Sequence, residues 1–227
     1  MPHGSTPAGV AVLLAAYLVG SIPIALLLGR VGAGVDLRRL GSGNPGTSNL
    51  FRNAGLRLAV LSGPLQFFQG VLPVVLARVA GGNGTFLEAT ALCAVAGNGW
   101  PIWLRFNGQR CIAVATGAVA ALNLPLLGVL LLFFAAGALL RVIAVGVLAG
   151  FTVLPLLAAW LSGPQLAVTC ALMLVAVLLR RLEGLVADLH RPAPPGERHL
   201  LMRRLFLDQR PGQVLAGPRE DRAAGPR

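Results

Sequence analysis

Lysine is missing from all 227 residues, and acids are nearly missing from most of them: before residue 180 the only carboxylates are Asp36 and Glu88. A chain with so few charges and 56% hydrophobic residues has too little polar surface to cover a water-soluble domain of this size, so a soluble class is excluded. Cysteine is also scarce. Cys93, Cys111 and Cys170 lie in or beside apolar runs with no paired spacing, which excludes a disulfide framework or a thiolate metal site and leaves three small hydrophobes. The N-terminal segment 1–7 lacks the basic stretch of a secretory signal. The apolar run that follows is too long for a signal and ends at Arg30, so it reads as a retained span.

What is present is apolar length and arginine. The mean hydropathy is +0.75, and all 19 basic residues are Arg. The net charge of +11 raises nucleic acid as a partner, but the arginines flank apolar runs or lie in the tail. Membrane orientation and anionic headgroups account for that placement, and no nucleic-acid partner is expected. A bilayer core of about 30 Å needs about 20 apolar residues per helix. Spans fall near residues 8–29, 58–79, 84–104, 111–123, 125–142, 144–162 and 164–182, with the fourth short and its boundary to the fifth marked only by Asn123 and Pro125. Five or six spans remain open alternatives, because short segments can tilt or re-enter. The loops carrying Arg30, Arg38, Arg39, Arg52 and Arg57, then Arg105 and Arg110, then Arg141, then Arg180 and Arg181 alternate with loops nearly free of Arg; only Arg78 falls at the other end. The positive-inside rule predicts an outside N-terminus, a cytoplasmic C-terminus and an odd span count. The fold class is thus an all-α polytopic membrane protein of about seven transmembrane helices. A membrane domain covers residues 1–189, and residues 190–227 form an Arg- and Pro-rich cytoplasmic tail in which 197–206 can form a short amphipathic helix on anionic lipid.

The long polar insert is residues 40–55. Asn44 and Pro45 read as the cap and first residue of a short helix over 45–54, and Gly55 as its stop. Gly41, Ser42 and Gly43 then precede a helix N-terminus, where backbone amides can meet an anion. Ser48 and Arg52 share one face of that helix, and Arg38, Arg39 and Arg52 offer guanidinium donors suited to phosphate. A plain interhelical turn with inside-positive arginines accounts for the same residues equally well. In the second polar loop, 97–111, Trp100, Trp103 and Phe106 read as interface anchors, and 107–110 as a polar turn that can meet the first loop. Gln66 and Gln69, three apart in the second span, read as interhelical glue. The spans carry no paired charges and no evident repeat, which argues against a transporter.

The run from residue 16 to residue 55 resembles the bacterial acyl-phosphate:glycerol-3-phosphate acyltransferases. Their first motif, GSGN-x-G-x-x-N-x-x-R-x-x-G, is met at every fixed position by Gly41, Ser42, Gly43, Asn44, Gly46, Asn49, Arg52 and Gly55, and the preceding GSIP at 20–23 also fits. The resemblance implies a multi-pass enzyme of phospholipid synthesis in the bacterial inner membrane with its site facing the cytoplasm. It implies acyl phosphate and glycerol 3-phosphate as substrates, membrane lipids as surroundings, and no cofactor or metal. It places Ser42 and Arg52 as the catalytic pair, donor and phosphate clamp, with Gly41, Gly43, Asn44, Asn49, Arg38, Gly108 and Arg110 as binding residues. The second family motif, GH-x-x-P-x-F-x-x-F-K-G-G-K-G-V-A-T, is only partly kept. Gly97, Pro101, Phe106, Gly108 and Ala113 remain, while Asn98, Asn107, Gln109, Arg110, Cys111 and Val114 replace His, Lys, Gly, Lys, Gly and Thr. Gln66, Gln69 and Gly70 stand where the family has Asp-x-x-Lys-Gly, and the third motif falls on 180–188 without its Asn and His. Two readings follow: an active acyltransferase with a diverged second half, or a non-catalytic relative that binds a lipid precursor or a partner.

Overall fold

The computed structural model describes residues 7–183; the expected tail and its amphipathic segment lie outside the described residues. The described chain is helical. In order it comprises α1 (Pro7–Ser21), α2 (Ile24–Ala33), α3 (Thr47–Ala54), α4 (Leu56–Val79), α5 (Gly84–Gly99), α6 (Ile112–Leu122), α7 (Leu124–Leu139), α8 (Ile143–Ser162) and α9 (Pro164–Leu182), with single 3-10 turns at Leu37–Arg39 and Ile102–Leu104. The helices α1 and α2 form one apolar rod of 27 residues, Pro7–Ala33, interrupted at Ile22 and Pro23. Pro23 has no amide hydrogen to continue the ladder, which is why the rod breaks there. Four segments are long and apolar enough to cross a membrane: Pro7–Ala33, Leu56–Val79, Ile143–Ser162 and Pro164–Leu182. Leu14, Leu27, Val60, Leu72, Leu132, Leu156 and Leu172 are exposed on the outer faces, as expected where hydrocarbon is the solvent.

With lipid tails as apolar as leucine, helices associate through close backbone packing rather than by escaping solvent. Glycines make that approach possible. A Cβ on Gly20 or Gly97 would collide with the facing backbone of the α1–α5 pair, at Ala94 and Tyr17 respectively, and one on Gly70 or Gly117 with the facing backbone of the α4–α6 pair. The core gathers Val74, Ala91, Ala94, Val114, Ala118, Leu126, Leu130, Phe151, Leu154, Met173 and Val177, with α5 and α6 near its middle. Of the 11 residues of α6, seven are buried, so neighbouring helices shelter it from lipid on most sides.

Gln66 and Gln69 join helices, as expected of amides in an apolar setting. Gln69 Nε2 donates to the carbonyls of Val19 (2.7 Å) and Ile22 (3.0 Å) at the break between α1 and α2. Gln66 Nε2 donates to Ser62 Oγ (2.8 Å) and Thr47 Oγ1 (3.0 Å), tying the start of α3 to α4.

Polar contacts sort the connections into two ends. Arg180 on α9 bonds the 107–109 loop, Arg181 Nη2 donates to Ala144 O at the start of α8, and Gln109 lies against Gly46. One end of the bundle therefore gathers the loops after α2, α5 and α7 with the end of α9. At the other end Asn123 Nδ2, between α6 and α7, donates to Ser162 Oγ at 2.8 Å, just before the α8–α9 turn.

Candidate active site

The first loop is shaped from inside by Asn49. Its side chain is 1% exposed, and Nδ2 donates to the carbonyls of Leu37 (2.9 Å), Leu40 (2.9 Å) and Asn44 (3.0 Å), while Oδ1 accepts from Asn53 Nδ2 (2.9 Å). One amide thus closes the loop on α3. Gly41 has φ +50, and a Cβ there would press into Asn49 Oδ1, so both conformation and space require glycine. Gly43, at φ +67, turns the chain again, and its amide donates to Leu40 O at 2.9 Å.

The helix begins two residues later than the sequence predicts. Asn44 is not the cap: α3 starts at Thr47 with Gly46 at the cap position and no side-chain cap bond. Asn44 is held elsewhere, because its carbonyl is taken by Asn49. Gly55, with φ +92, does end the helix as expected, and its amide donates to Phe51 O. Among the described residues the amides of Gly41, Ser42, Gly46, Thr47 and Ser48 donate to no acceptor in the protein. Loop amides and the positive end of α3 therefore form a concentrated set of donors for an anion.

Ser42 is buried, 4% exposed, and its Oγ accepts a long 3.4 Å bond from the Asn44 amide. Arg52 and Ser48 share the exposed face of α3, one turn apart. Arg38 is placed differently from the open donor read in the sequence: its Nε and Nη2 grip Asp36 at 3.0 and 2.7 Å, and Arg30 Nη2 reaches the same carboxylate at 2.8 Å. The fork from Arg38, with Arg30 beside it, holds the Asp36 carboxyl well below the usual carboxylate range. One acid thus organises two arginines at the entrance to the loop.

The second loop folds back on the end of α5. Gly108 N donates to Gly99 O and Gln109 N to Asn98 O, and any side chain at 108 would strike Pro101 and those carbonyls. Gly108 is therefore buried scaffold, while Arg110, half-buried, follows it toward α6. The two loops meet where Gln109 Oε1 faces Gly46, at 3.4 Å from the position a Cβ would take there. Gln109 is 4% exposed, and Asn98, at the family's His position, is 3% exposed. Tyr17 Oη on α1 donates to Trp100 O at 2.7 Å and fixes the start of the loop.

Arg180, in sequence an inside-positive flank at the start of the third-motif stretch and not a predicted site residue, stands against the second loop. It is 8% exposed, its guanidinium bonds three oxygens of 107–109, and it lies 5.9 Å from the Trp100 ring centroid. A pair of arginines at the end of an apolar helix looks the same in sequence whether it faces water or a loop; the one signal was their place at the start of the third-motif stretch 180–188.

Comparison with known proteins gives the family. The family model described as glycerol-3-phosphate acyltransferase matches residues 10–187. The glycerol-3-phosphate acyltransferase of Rubrobacter xylanophilus is 44% identical over 116 residues, covering 51% of this chain and 58% of that protein. Those of Desulforamulus reducens (35% over 154 residues, 67% and 77%) and Trichlorobacter lovleyi (35% over 175 residues, 76% and 90%) match over longer stretches. Among solved structures, PlsY, an integral membrane glycerol 3-phosphate acyltransferase in its glycerol 3-phosphate form, superposes with TM-score 0.73 at 26% identity, covering 80% of this chain and 92% of that one. With its extent of match and its all-helical architecture, this chain belongs to the glycerol-3-phosphate acyltransferase family.

Proposed function

We propose that this chain is a membrane acyltransferase that moves an acyl group from acyl phosphate to the 1-hydroxyl of glycerol 3-phosphate. The products are lysophosphatidic acid and inorganic phosphate. The observation that carries the reading is the junction of the two loops at Gly46 and Gln109, beside the unpaired amides of Gly41, Ser42 and Gly46–Ser48. Two phosphate-bearing substrates must be held together, and backbone donors with nearby guanidiniums meet that demand. In the reaction the glycerol oxygen bonds to the acyl carbon, the bond from that carbon to the phosphate oxygen breaks, and the hydroxyl proton leaves with the phosphate. Acyl phosphate is already activated, so orientation and stabilisation of charge on the reacting oxygens suffice without an acyl-enzyme step.

Ser42 donates to the reacting phosphate and Arg52 clamps a phosphate on the face of α3. Gly41, Gly43, Asn44 and Asn49 shape the cradle from its backbone side, and Gly108 and Arg110 contribute the opposite wall. Arg38, braced by Asp36, adds positive field at the entrance.

The same reading places seven crossings, the N-terminus outside, the C-terminus in the cytoplasm and the site facing the cytoplasm of a bacterial inner membrane. Its support is the gathering of Arg-bearing connections at one end of the bundle, joined by Arg180 and Arg181. The short α6, about 16 Å long at the usual rise per residue, can serve as an inner crossing because its neighbours cover it.

Turnover is tested with purified full-length protein in lipid, supplied with acyl phosphate and glycerol 3-phosphate, beside Arg52→Ala and Arg110→Ala. The expected result is lysophosphatidic acid from the wild type and a loss of about a hundredfold or more in Arg52→Ala. The replacements at Asn107, Gln109 and Cys111 favour a second reading, a binding relative without turnover. That reading is the correct one if the wild type binds glycerol 3-phosphate and forms no product.

A further inference from the structure

The second loop is held in a conformation that its own residues do not favour. Arg105, Phe106 and Cys111 have φ of 52, 62 and 63, so three residues with side chains occupy the left-handed region within seven positions. Backbone bonds to the end of α5 supply part of the restraint. The rest comes from Arg180, some 70 residues away in sequence. Its Nε donates to Gln109 O at 3.1 Å, and Nη2 donates to Gly108 O at 2.5 Å and Asn107 Oδ1 at 3.2 Å. Nη1 is ion-paired with Glu183, and the guanidinium faces the Trp100 ring. Nε and Nη2 are thus committed to loop oxygens and Nη1 lies against Glu183, so the guanidinium is turned to the protein and not toward a substrate phosphate.

We propose that Arg180 is a positioning residue for this site: a clamp from α9 that holds the 105–111 loop against α5 and so presents Gln109 and Arg110 to the first loop. The carbonyls of Gly108 and Gln109 point back to the guanidinium, which fixes the peptide planes between them. A planar fork with several donors can restrain adjacent oxygens simultaneously, whereas an ammonium acts as a single compact centre. Where the family motif carries Lys, this chain has Asn107, whose side-chain oxygen accepts from Arg180. A cation therefore reaches position 107 from α9, beside the loop's own Arg110.

The kinetic part of the test rests on the acyltransferase reading; the structural part does not. Full-length wild type, Arg180→Lys and Arg180→Met in lipid nanodiscs are compared by hydrogen–deuterium exchange and by steady-state kinetics. Exchange at 105–111 is expected to rise about tenfold or more in both variants, with α1, α4 and α5 unchanged, because charge-assisted bonds are lost. KM for the phosphate substrates is expected to rise about tenfold while kcat stays within about threefold, the pattern of a loosened binding wall. Unchanged exchange at 105–111 overturns the clamp. Exchange that rises throughout the bundle, or a fall in kcat with KM untouched, overturns the positioning role. If Arg180→Met fails to fold, Arg180→Lys retains the charge and carries both readouts. A wild type that shows no turnover refutes the acyltransferase reading and leaves the exchange comparison decisive for the clamp.

Discussion

Replacing Asn49 with alanine removes the donor shared by the carbonyls of Leu37, Leu40 and Asn44. The carbonyls of Leu37 and Leu40 keep backbone donors in Leu40 N and Gly43 N, while that of Asn44 loses its donor at a cost of about 1–3 kcal/mol, so the expected effect is a clear drop in melting temperature together with loosening of residues 37–44. Asn49→Asp is expected to be worse, since it sets a carboxylate against three carbonyl oxygens. Thermal unfolding of the two variants in detergent checks the order. Asp36 gives a pH prediction. Its carboxyl is depressed below the ordinary 3.8, so the stability it contributes is present above that value and is lost only as pH falls through the lower folded-state value. The entrance loop is thus expected to be indifferent to pH from 5 to 8, and Asp36→Asn to lose the contribution throughout that range. The effect is small, because both arginines are nearly half-exposed and solvent screens them. Melting curves of both proteins at pH 5 and 7 test this.

At the scale of elements, the α4–α6 pair depends on backbone contact at Gly70 and Gly117. Gly117→Leu forces the helices apart, and the expected outcome is loss of monodisperse protein on size exclusion, not a modest change in activity. The break between α1 and α2 is supported differently. Gln69→Leu removes the side-chain donor that ties the carbonyls of Val19 and Ile22 to α4, leaving each with a backbone donor alone, and is expected to destabilise by about 1 kcal/mol, read by thermal unfolding. The sequence placed both glutamines correctly as interhelical glue, since an amide in hydrocarbon must find a partner. It misplaced the start of α3, because Asn44–Pro45 has the composition of a helix start. Asn49 captures the Asn44 carbonyl across the loop, and that long-range bond is invisible to local pattern.

The whole molecule has two ends, and the topology proposal can be checked on both. In intact cells a membrane-impermeant maleimide is expected to label Asn83→Cys, at the exposed α4–α5 turn, and not Arg57→Cys or Arg105→Cys. The reverse pattern would invert the orientation. The sequence by itself determined the membrane class, the apolar segments and the first motif, because hydropathy and a strict order of Gly, Ser, Asn and Arg are one-dimensional properties. Only the tertiary structure decided which of those residues stay exposed on the loops and which hold the scaffold. Asn49 and Gly108 turn inward, Arg38 is engaged by Asp36, and Arg180 becomes part of the second loop's wall. The physical reason is that hydrogen-bonding donors are few in an apolar bundle, and each is assigned by what the fold brings within about 3 Å of it, whatever its distance in sequence.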